Sequence, residues 1–452
     1  MVEFLEAALV AVSFFAEKCL RIERFGTIME SNKSKRSFSW RQQNMQDVDT
    51  KQDQTMSLLE RLAEAMTKYG APIYSIEDTV QRTAKKLMAE GEYIIIFGAL
   101  FSACGKYLQQ KIALSRLPIA GFNVEKLNAT KAVAAAVIAG EMSGPDAESR
   151  LIAIDEQPPI YGNWVIIFSW WLASTSIAFL FGGMWFDALV AGIIGLLSVS
   201  ITNVFPKRGN LSRLIEPISA FLASFVAVFG MVISTHYSIH YSMPIVLVCS
   251  LIILMPGFAF TRAMSEIAMG HLVSGTARFV SATLTLMFLC AGTFVGFALI
   301  KFFLPVSIQA FTIIPPHPLA LALICIPQSI SLCLSFHVHW RYMTAVVLVD
   351  IFVVFIMIYG GFWLGGAVGC GMGAFAVGIL ANGYARWKKC SSVVIKVPCF
   401  MVLVPGSVGF NAMVTILAAN PMAGIEAGVM MIITGLSIVV GSILADSVFP
   451  SQ

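Results

Sequence analysis

The chain is short of charged residues, and the shortage is confined to one part of it. Only 12% of its 452 residues are Asp, Glu, Lys or Arg, about half the 25% that is typical of soluble globular chains. Residues 1–163 hold 19 of the 30 basic and 20 of the 26 acidic side chains, which leaves 11 and six for the rest. This asymmetry predicts a water-soluble first third followed by a membrane-embedded remainder.

Several motifs with a defined chemistry are also missing. The nine cysteines include no C-x-x-C pair, and seven of them lie in the apolar part, where cysteine usually packs as a small hydrophobic residue. No G-x-x-x-x-G-K-[ST] loop is present, so ATP-driven work is not indicated. No basic patch interleaved with aromatic residues favours nucleic acid. We therefore expect no metal, no cofactor and no nucleic-acid partner.

The first third divides into a tail and a small domain. Residues 1–54 are polar or weakly amphipathic and predict a disordered tail. Residues 55–160 predict a small α+β domain. In it, Ser75-x-x-Asp78 resembles a capping box that opens a helix, Tyr93–Phe97 is typical of a strand, and Val124–Ala139 predicts a further helix.

The last two thirds contain ten apolar segments of about the length that crosses a bilayer. The fourth and the ninth are short, and both end at Pro-Gly. These segments are Trp164–Phe181, Ala188–Val204, Ile218–Thr235, Pro244–Met255, Val280–Phe303, Leu319–Phe336, Met343–Ile358, Phe362–Ala381, Ile395–Val404 and Gly428–Phe449.

The charges between these segments predict the orientation of the chain. With ten spans and the N-terminus inside, the inside loops hold ten Lys and Arg residues and the outside loops hold only Lys301. Basic residues favour the cytoplasmic side, so we expect both termini and the soluble domain to be cytoplasmic.

An internal repeat divides the apolar part into two halves. Nine residues between Leu254 and Gly292 recur 149 positions later, and Pro256-Gly257 recurs as Pro405-Gly406. Residues 161–304 and 305–452 would then be two repeats of five helices each. Because five is odd, the halves have opposite orientations, and we expect a polytopic α-helical membrane protein built as an inverted repeat.

The two Pro-Gly steps are the main indication of function. An unpaired backbone group in lipid costs several kcal/mol, so a break in a span persists only where it lines a protein-walled or watery cavity. Short, Pro/Gly-broken segments at matching places in two halves point to a transporter's binding site. One such step alone is explained as well by a helix that ends at the membrane interface.

The segment around the first break resembles a known family. Met255-Pro-Gly-Phe-Ala-Phe-Thr261, followed by Glu266 to Arg278, is similar to the central motif of the threonine/serine exporter family, and Val404-Pro-Gly-Ser-Val-Gly409 resembles its second-half motif. The family includes bacterial exporters and fungal pheromone-regulated membrane proteins. The resemblance implies ten spans and proton-driven export of threonine, serine or similar solutes. Bacterial members often carry Asp where Glu266 stands.

Two acidic residues are the leading candidates for the proton pathway. Asp350 lies in the middle of the seventh span, where a charge costs about 2.5–3.5 kcal/mol, so it should face the bundle interior, pair or bind a proton. Glu266 follows the first break, and the alternative for it is a structural pair with Arg262 or Arg278. The remaining acids, such as Asp187, lie near predicted span ends, where we expect solvation at the interface.

Polar residues beside the breaks complete the predicted site. His271 is a candidate proton relay, and Thr261, Asn411 and Thr415 are candidates for a solute hydroxyl or carboxylate, although such groups also cap helices. The predicted solute and proton pathway comprises Pro256, Gly257, Thr261, Glu266, His271, Asp350, Pro405, Gly406, Asn411 and Thr415.

The sequence therefore predicts a secondary active transporter for proton-coupled export of threonine, serine or a similar small polar solute. The expected partners are this solute, protons and the lipid bilayer, and a homo-oligomer is left open. One alternative is a membrane scaffold or regulatory protein without transport. An intramembrane enzyme is the other, but no G-x-G-D or H-x-x-x-x-D pattern accompanies Asp350.

Overall fold

The computed structural model describes residues 54–88, 91–104, 111–118, 121–204, 214–302, 317–404, 406–417 and 421–450. The predicted tail lies outside these residues apart from its last position.

The first part of the described chain is a small α+β domain. Its three strands form one antiparallel sheet in the order β1-β2-β3, and one face of the sheet packs against the helices of the domain. The elements are α1 (54–68), α2 (Ile73–Lys86), β1 (Gly91–Ile96), β2 (Ala99–Cys104), β3 (Lys111–Arg116), α3 (Val124–Ala139) and α4 (Gly144–Glu156).

Helix α2 begins earlier than the sequence predicts, and the capping-box prediction is wrong. The helix starts at Ile73, directly after Pro72, and no side chain caps it. The backbone of Pro72 is extended, with φ −72° and ψ 149°, and a proline also disfavours helical backbone at the residue before it, so the helix starts after Pro72. Ser75 therefore lies inside the first turn, where its hydroxyl accepts a hydrogen bond from Lys131 Nζ at 3.1 Å.

The second part consists of long apolar helices and two pairs of short ones. The long helices are α5 (Asn163–Leu180), α6 (Trp185–Val204), α7 (Ile215–His236), α10 (Leu272–Lys301), α11 (Pro318–Ser335), α12 (Trp340–Leu364), α13 (Gly366–Lys388) and α16 (Pro421–Val448). The short pairs are α8 (Met243–Leu251) with α9 (Gly257–Ala268), and α14 (Val393–Leu403) with α15 (Gly406–Leu417).

Within the described residues, nine helical stretches are long and apolar enough to cross a membrane, where the sequence predicts ten. The segment predicted as the fourth span corresponds to α8, which has only nine residues, and α9 adds twelve more after the break. Each is shorter than the roughly 17–25 residues that span a bilayer. The second break falls inside a stretch, Val393–Phe410, that meets the length criterion as a whole.

Small residues set the closest contacts between the long helices. A Cβ on Gly292 of α10 would lie 2.2 Å from the carbonyl oxygen of Pro217 on α7, and a Cβ on Gly441 of α16 would lie 2.2 Å from that of Gly371 on α13. Glycine at these positions lets backbones approach closely, as is common between helices in membranes. The two glycines are 149 positions apart, the offset found in the sequence.

Asp187 is buried, so the prediction that it is solvated is wrong. It is 0% exposed at the start of α6. Its two oxygens accept hydrogen bonds from the backbone N–H groups of Met184 (2.8 Å) and Ser242 (2.7 Å). Asp187 therefore joins the start of α6 to the start of α8.

Candidate functional site

The glycines of the two Pro-Gly steps, Gly257 and Gly406, lie against each other. Helix α9 begins at Gly257 and helix α15 begins at Gly406. A Cβ built on Gly257 would lie 2.8 Å from both the Cα and the N of Gly406, so the two backbones are in direct contact. The structure thus brings together the starts of α9 and α15 and, through Val404, the end of α14.

Both α9 and α15 begin at this contact, so their N-terminal ends converge. The first turn of a helix presents backbone N–H groups without an intrahelical partner, and the helix dipole makes that end attractive to a negative group. Pro256, the residue before α9, supplies no capping side chain. Thr261, one turn further along α9, donates its hydroxyl to Gly257 O at 3.3 Å.

A cavity of about 350 Å³ lies beside the two breaks. Its walls come from the breaks themselves and from α5, α11, α12, α13 and α16. None of the described residues that line it carries a charge, and its polar side chains include Gln328, Ser407 and Thr434. The apolar wall is rich in flexible methionines, which are Met255, Met357, Met401 and Met430.

The sequence analysis did not select the polar lining residues Gln328, Ser407 and Thr434, and of these Gln328 is the one whose side chain has an oxygen without a partner in the part of the chain that the structure describes. Its side chain is 3% exposed, and its Oε1 has no hydrogen-bond partner among the described residues. In contrast, the hydroxyl of Thr434 already donates to Met430 O at 2.7 Å. A buried oxygen without a partner costs about 1–3 kcal/mol, so a ligand that donates a hydrogen bond to Gln328 would remove that cost.

The soluble domain backs one wall of the cavity. Phe258 lines the cavity, and its ring contacts that of Phe122 from the soluble domain with 5.2 Å between centroids. The guanidinium of Arg262 lies over both rings, 5.4 Å from Phe122 and 5.9 Å from Phe258. These three side chains connect the first break to the soluble domain. We call the side of the bundle on which that domain docks the domain side.

Glu266 lies at the interface with the soluble domain and does not line the cavity. It is 0% exposed; its Oε2 is 3.0 Å from Arg278 Nε, and its Oε1 accepts from the backbone N–H of Ile73 at 3.5 Å. One turn earlier on α9, Arg262 donates to Ala71 O at 2.5 Å. Arg262 and Glu266 together hold the backbone segment that starts α2.

His271 belongs to the same interface. Its Nδ1 is 3.5 Å from Glu77 Oε2 on α2. Along α9 and the turn after it, the structure therefore places Thr261, Glu266 and His271 in order from the break to the soluble domain.

Asp350 is buried at a separate position between α11 and α12. It is 1% exposed, and its Oδ2 accepts from the hydroxyl of Ser329 at 2.5 Å. Its Oδ1 has no hydrogen-bond partner within the described part of the chain. Ser329 follows Gln328 in α11, so adjacent residues contact the carboxylate and the cavity.

The second break is described only in part. Pro405 and the side chain of Asn411 lie outside the described residues, and Thr415 is a partly buried residue of α15. The predictions for these three residues therefore rest on the sequence.

Lys131 on α3 of the soluble domain lies close enough to Lys396 and Asp446, in the second half of the bundle, to be affected by their charges. Lys131 of α3 donates to Ser75, and desolvation, with the nearby Lys396 charge, lowers its pKa to about 8. Asp78 and Asp446 favour its charged form but do not offset that effect. Asp446 itself binds Lys396 Nζ at 2.5 Å.

Two families of known proteins match this chain. The family described as putative threonine/serine exporter matches residues 57–300, and the family described as threonine/serine exporter, ThrE, matches residues 321–448. The first match alone covers more than half of the chain and includes the soluble domain, the first break and Glu266.

The chain belongs to the threonine/serine exporter family. This exporter-family chain is 25% identical over 362 residues to pheromone-regulated membrane protein 10 of Kluyveromyces lactis, which covers 77% of this chain and 37% of that protein. It is 23% identical over 413 residues to the protein of the same name from Saccharomyces cerevisiae, covering 86% and 53%. The alignments thus span about a third to a half of these relatives' lengths. No solved structure matches it.

Proposed function

We propose that this chain is a secondary active transporter that binds a small polar solute in the cavity beside Gly257 and Gly406. The observation that carries the proposal is the direct contact of the two broken segments next to that cavity. Helix breaks that line a cavity at the middle of a bundle are the usual binding sites of such transporters. Family membership favours threonine and serine as the first solutes to test.

The solute would be held by main-chain groups and by Gln328. Converging N-terminal ends of α9 and α15 suit a carboxylate, and Gln328 Oε1 suits an ammonium or hydroxyl donor. The methyl group of threonine would lie against the methionine-rich wall. No charged side chain among the described lining residues competes for the solute.

Protons would use two separate carboxyl groups. Asp350 is enclosed with Ser329 behind the cavity wall, and Glu266 and His271 lie between the first break and the soluble domain. A buried carboxyl that gains and loses a proton changes the charge that its surroundings must accommodate. That change in charge would couple proton binding and release to the change in orientation of the bundle.

Two inverted repeats of five helices, 161–304 and 305–452, would provide the alternating access. Rocking of one repeat against the other around the Gly257–Gly406 contact exposes the cavity to each side in turn. On the domain side, the Phe122–Phe258–Arg262 contact must open for the solute to pass. The proposal places the soluble domain, residues 55–160, in the cytoplasm and makes the direction of transport export.

The test is a flux assay in proteoliposomes that contain the full chain. Labelled threonine and serine are followed with and without a pH gradient, and we expect gradient-dependent flux of at least one of them. Gly428→Ala is the matched control for glycine-to-alanine changes at the breaks, because a Cβ at Gly428 meets nothing within 4 Å. Failure to move threonine, serine or other small polar solutes would refute transport and favour the scaffold alternative.

The native thiol of Cys370 gives a second, independent measurement. Cys370 lines the cavity, whereas Cys390 is half-buried outside the cavity. We expect a transported solute to slow alkylation of Cys370 and to leave that of Cys390 unchanged. Equal protection of both, or of neither, contradicts binding in this cavity.

A further inference from the structure

One face of the sheet in the soluble domain is apolar and uncovered by the described residues. Ile94 is 54% exposed, Phe101 42%, Ile112 73% and Leu114 67%. On the opposite face the side chains of β1 and β2 are buried, with Tyr93 1%, Ile95 2% and Leu100 0% exposed. A sheet in a small domain usually turns polar residues to water on its free face, so this exposed apolar face requires a partner.

The strand register arranges the uncovered face as three rows of three side chains. The central row is Ile94, Phe101 and Leu114, one from each strand. The row on one side of it is Glu92, Ala103 and Ile112, and the row on the other side is Ile96, Ala99 and Arg116.

The arrangement of charge and size on this face is complementary to itself. Glu92 and Arg116, both exposed, occupy diagonally opposite corners, and Phe101 lies at the centre. The alanines of β2, Ala99 and Ala103, leave shallow positions on either side of Phe101.

We propose that this face is the contact between two copies of the chain, stacked face to face about a two-fold axis. The axis passes through Phe101 close to the diagonal from Ile96 to Ile112. A two-fold axis makes every contact occur twice, so Glu92 meets the partner's Arg116 and Arg116 meets the partner's Glu92.

The same axis matches large side chains with small ones. Ile94 lies over the partner's Ala99, and Leu114 lies over the partner's Ala103. The strands of the two copies then cross steeply, close to the orthogonal class of sheet packing. No like charges meet. Phe101, Ile96 and Ile112 lie on the axis, so each of them packs against the same residue of the partner, and no other large side chain does so.

The position of the sheet on the bundle agrees with two copies in one membrane. Phe97 follows Ile96, and its ring lies 4.9 Å from the guanidinium of Arg278 at the start of α10. The Ile96 end of the axis thus points toward the membrane-embedded part and the Ile112 end points away. Rotation about such an axis leaves both bundles on the same side.

The size of the face indicates that the contact is weak without the membrane. Three strands about 4.8 Å apart and three positions about 6.8 Å apart along each strand give roughly 300 Å² per copy. Stable interfaces bury about 1,200–2,000 Å² in total. Anchoring both copies in one bilayer raises their effective concentration, which compensates for the small area.

The bilayer surface fits this face less well than a second copy. Peripheral attraction to anionic lipid needs clusters of Lys and Arg, whereas the corners of this face carry one acid and one base. Lipid contact is therefore the competing outcome that the experiment must distinguish.

The test is cross-linking of the full chain in native-like membranes with a short bifunctional maleimide. Phe101→Cys is expected to give a cross-linked dimer well above the background of the unmodified chain. Ile152→Cys, an exposed position on α4 at 36% exposure, is the control for collisions. Equal yields at the two positions would overturn the proposal.

Charge reversal tests the pairing of the corners. In the Phe101→Cys background, Glu92→Arg alone and Arg116→Glu alone are each expected to lower the yield about tenfold, and the double reversal is expected to restore it. Both positions are exposed, so folding is not at stake. Cross-linking yields that stay the same in all three variants would refute the dimer. So would quenching by lipid of a label at Phe101→Cys without any cross-link. The outcome does not depend on transport.

Discussion

Gly257 and Gly406 begin two helices whose backbones touch, although they lie 149 residues apart in the chain. The two glycines differ in the room that the contact leaves for a side chain. A Cβ on Gly257 would lie 2.3 Å from Val404 Cγ1 and 2.8 Å from Gly406 N, whereas a Cβ on Gly406 would approach nothing closer than 3.2 Å. The first glycine is thus required by the packing, and the second has some room.

Gly257→Ala should therefore be much more harmful than Gly406→Ala. Forcing an extra carbon into a packed contact costs about 1–3 kcal/mol, and here the obstacle includes backbone. We expect Gly257→Ala to lower flux at least tenfold and Gly406→Ala to lower it less than threefold, with expression measured for both. Equal effects would show that the contact does not control transport.

The positions of the helix breaks were predictable, because proline and glycine act on the local backbone. The distant residues that contact the side chains near the breaks were not predictable. Glu266 receives a hydrogen bond from Ile73, 193 positions earlier, and no local pattern encodes such a pairing. The sequence left Glu266 either in a solute pathway or in a pair with an arginine. The structure supplies the Arg278 pair and leaves the proton role to be tested.

Two misses have identifiable causes. Strands β2 and β3 were not predicted. Their exposed positions carry the apolar side chains Phe101, Ile112 and Leu114, where a half-buried strand usually has polar residues. Gln328 could have been found. It is a polar residue in the middle of an apolar segment, which is the reasoning that selected Asp350.

Glu266→Gln should abolish proton-coupled flux, but this change also breaks the pair with Arg278. Removing one partner of a buried pair costs about 3–5 kcal/mol, so the single variant confounds coupling with stability. The double variant Glu266→Gln/Arg278→Gln removes both charges. We expect it to recover the thermal stability in detergent and to remain uncoupled. Recovery of coupled flux in the double variant would assign Glu266 a structural role only.

Asp350→Asn should separate proton coupling from solute binding. The amide preserves the size of the side chain and can still accept from Ser329 through its oxygen, but it cannot carry a proton on and off. We expect exchange of labelled for unlabelled solute across the membrane to continue while flux driven by a pH gradient falls at least tenfold. Ser329→Ala, which leaves the carboxyl in place, is expected to retain gradient-driven flux. Loss of both activities in Asp350→Asn would contradict the assignment.

Phe122→Ala should open the domain side of the cavity. The change removes the ring contact with Phe258 and the stacking with Arg262. We expect alkylation of Cys370 by an impermeant thiol reagent on the domain side to become several-fold faster. Tyr161→Phe is the matched control, because it removes one hydrogen bond to Val338 O at the same interface. Equal acceleration by both changes would mean that general loosening, and not this contact, closes the cavity.

Lys131 should make the stability of the folded chain depend on alkaline pH. Its pKa is about 8 in the folded chain and about 10.4 in an unfolded one. Between these values the unfolded state binds more protons, so stability rises as the pH increases from about 8 to 10. Below pH 8 the cost of burying the charged amine, with the Lys396 charge nearby, is present in full.

Replacing Lys131 with methionine removes both the cost and its pH dependence. We expect Lys131→Met to unfold at a higher temperature than the parent chain at pH 7, by a difference worth about 1–3 kcal/mol at about 1.4 kcal/mol per unit of pKa. The difference should shrink as the pH approaches 10, where the parent lysine is neutral in the folded state. Lys85→Met, at an exposed position of α2, should give no such trend. A stability difference between Lys131→Met and the parent that stays constant from pH 7 to pH 10 would show that packing alone, and not the charge, separates them.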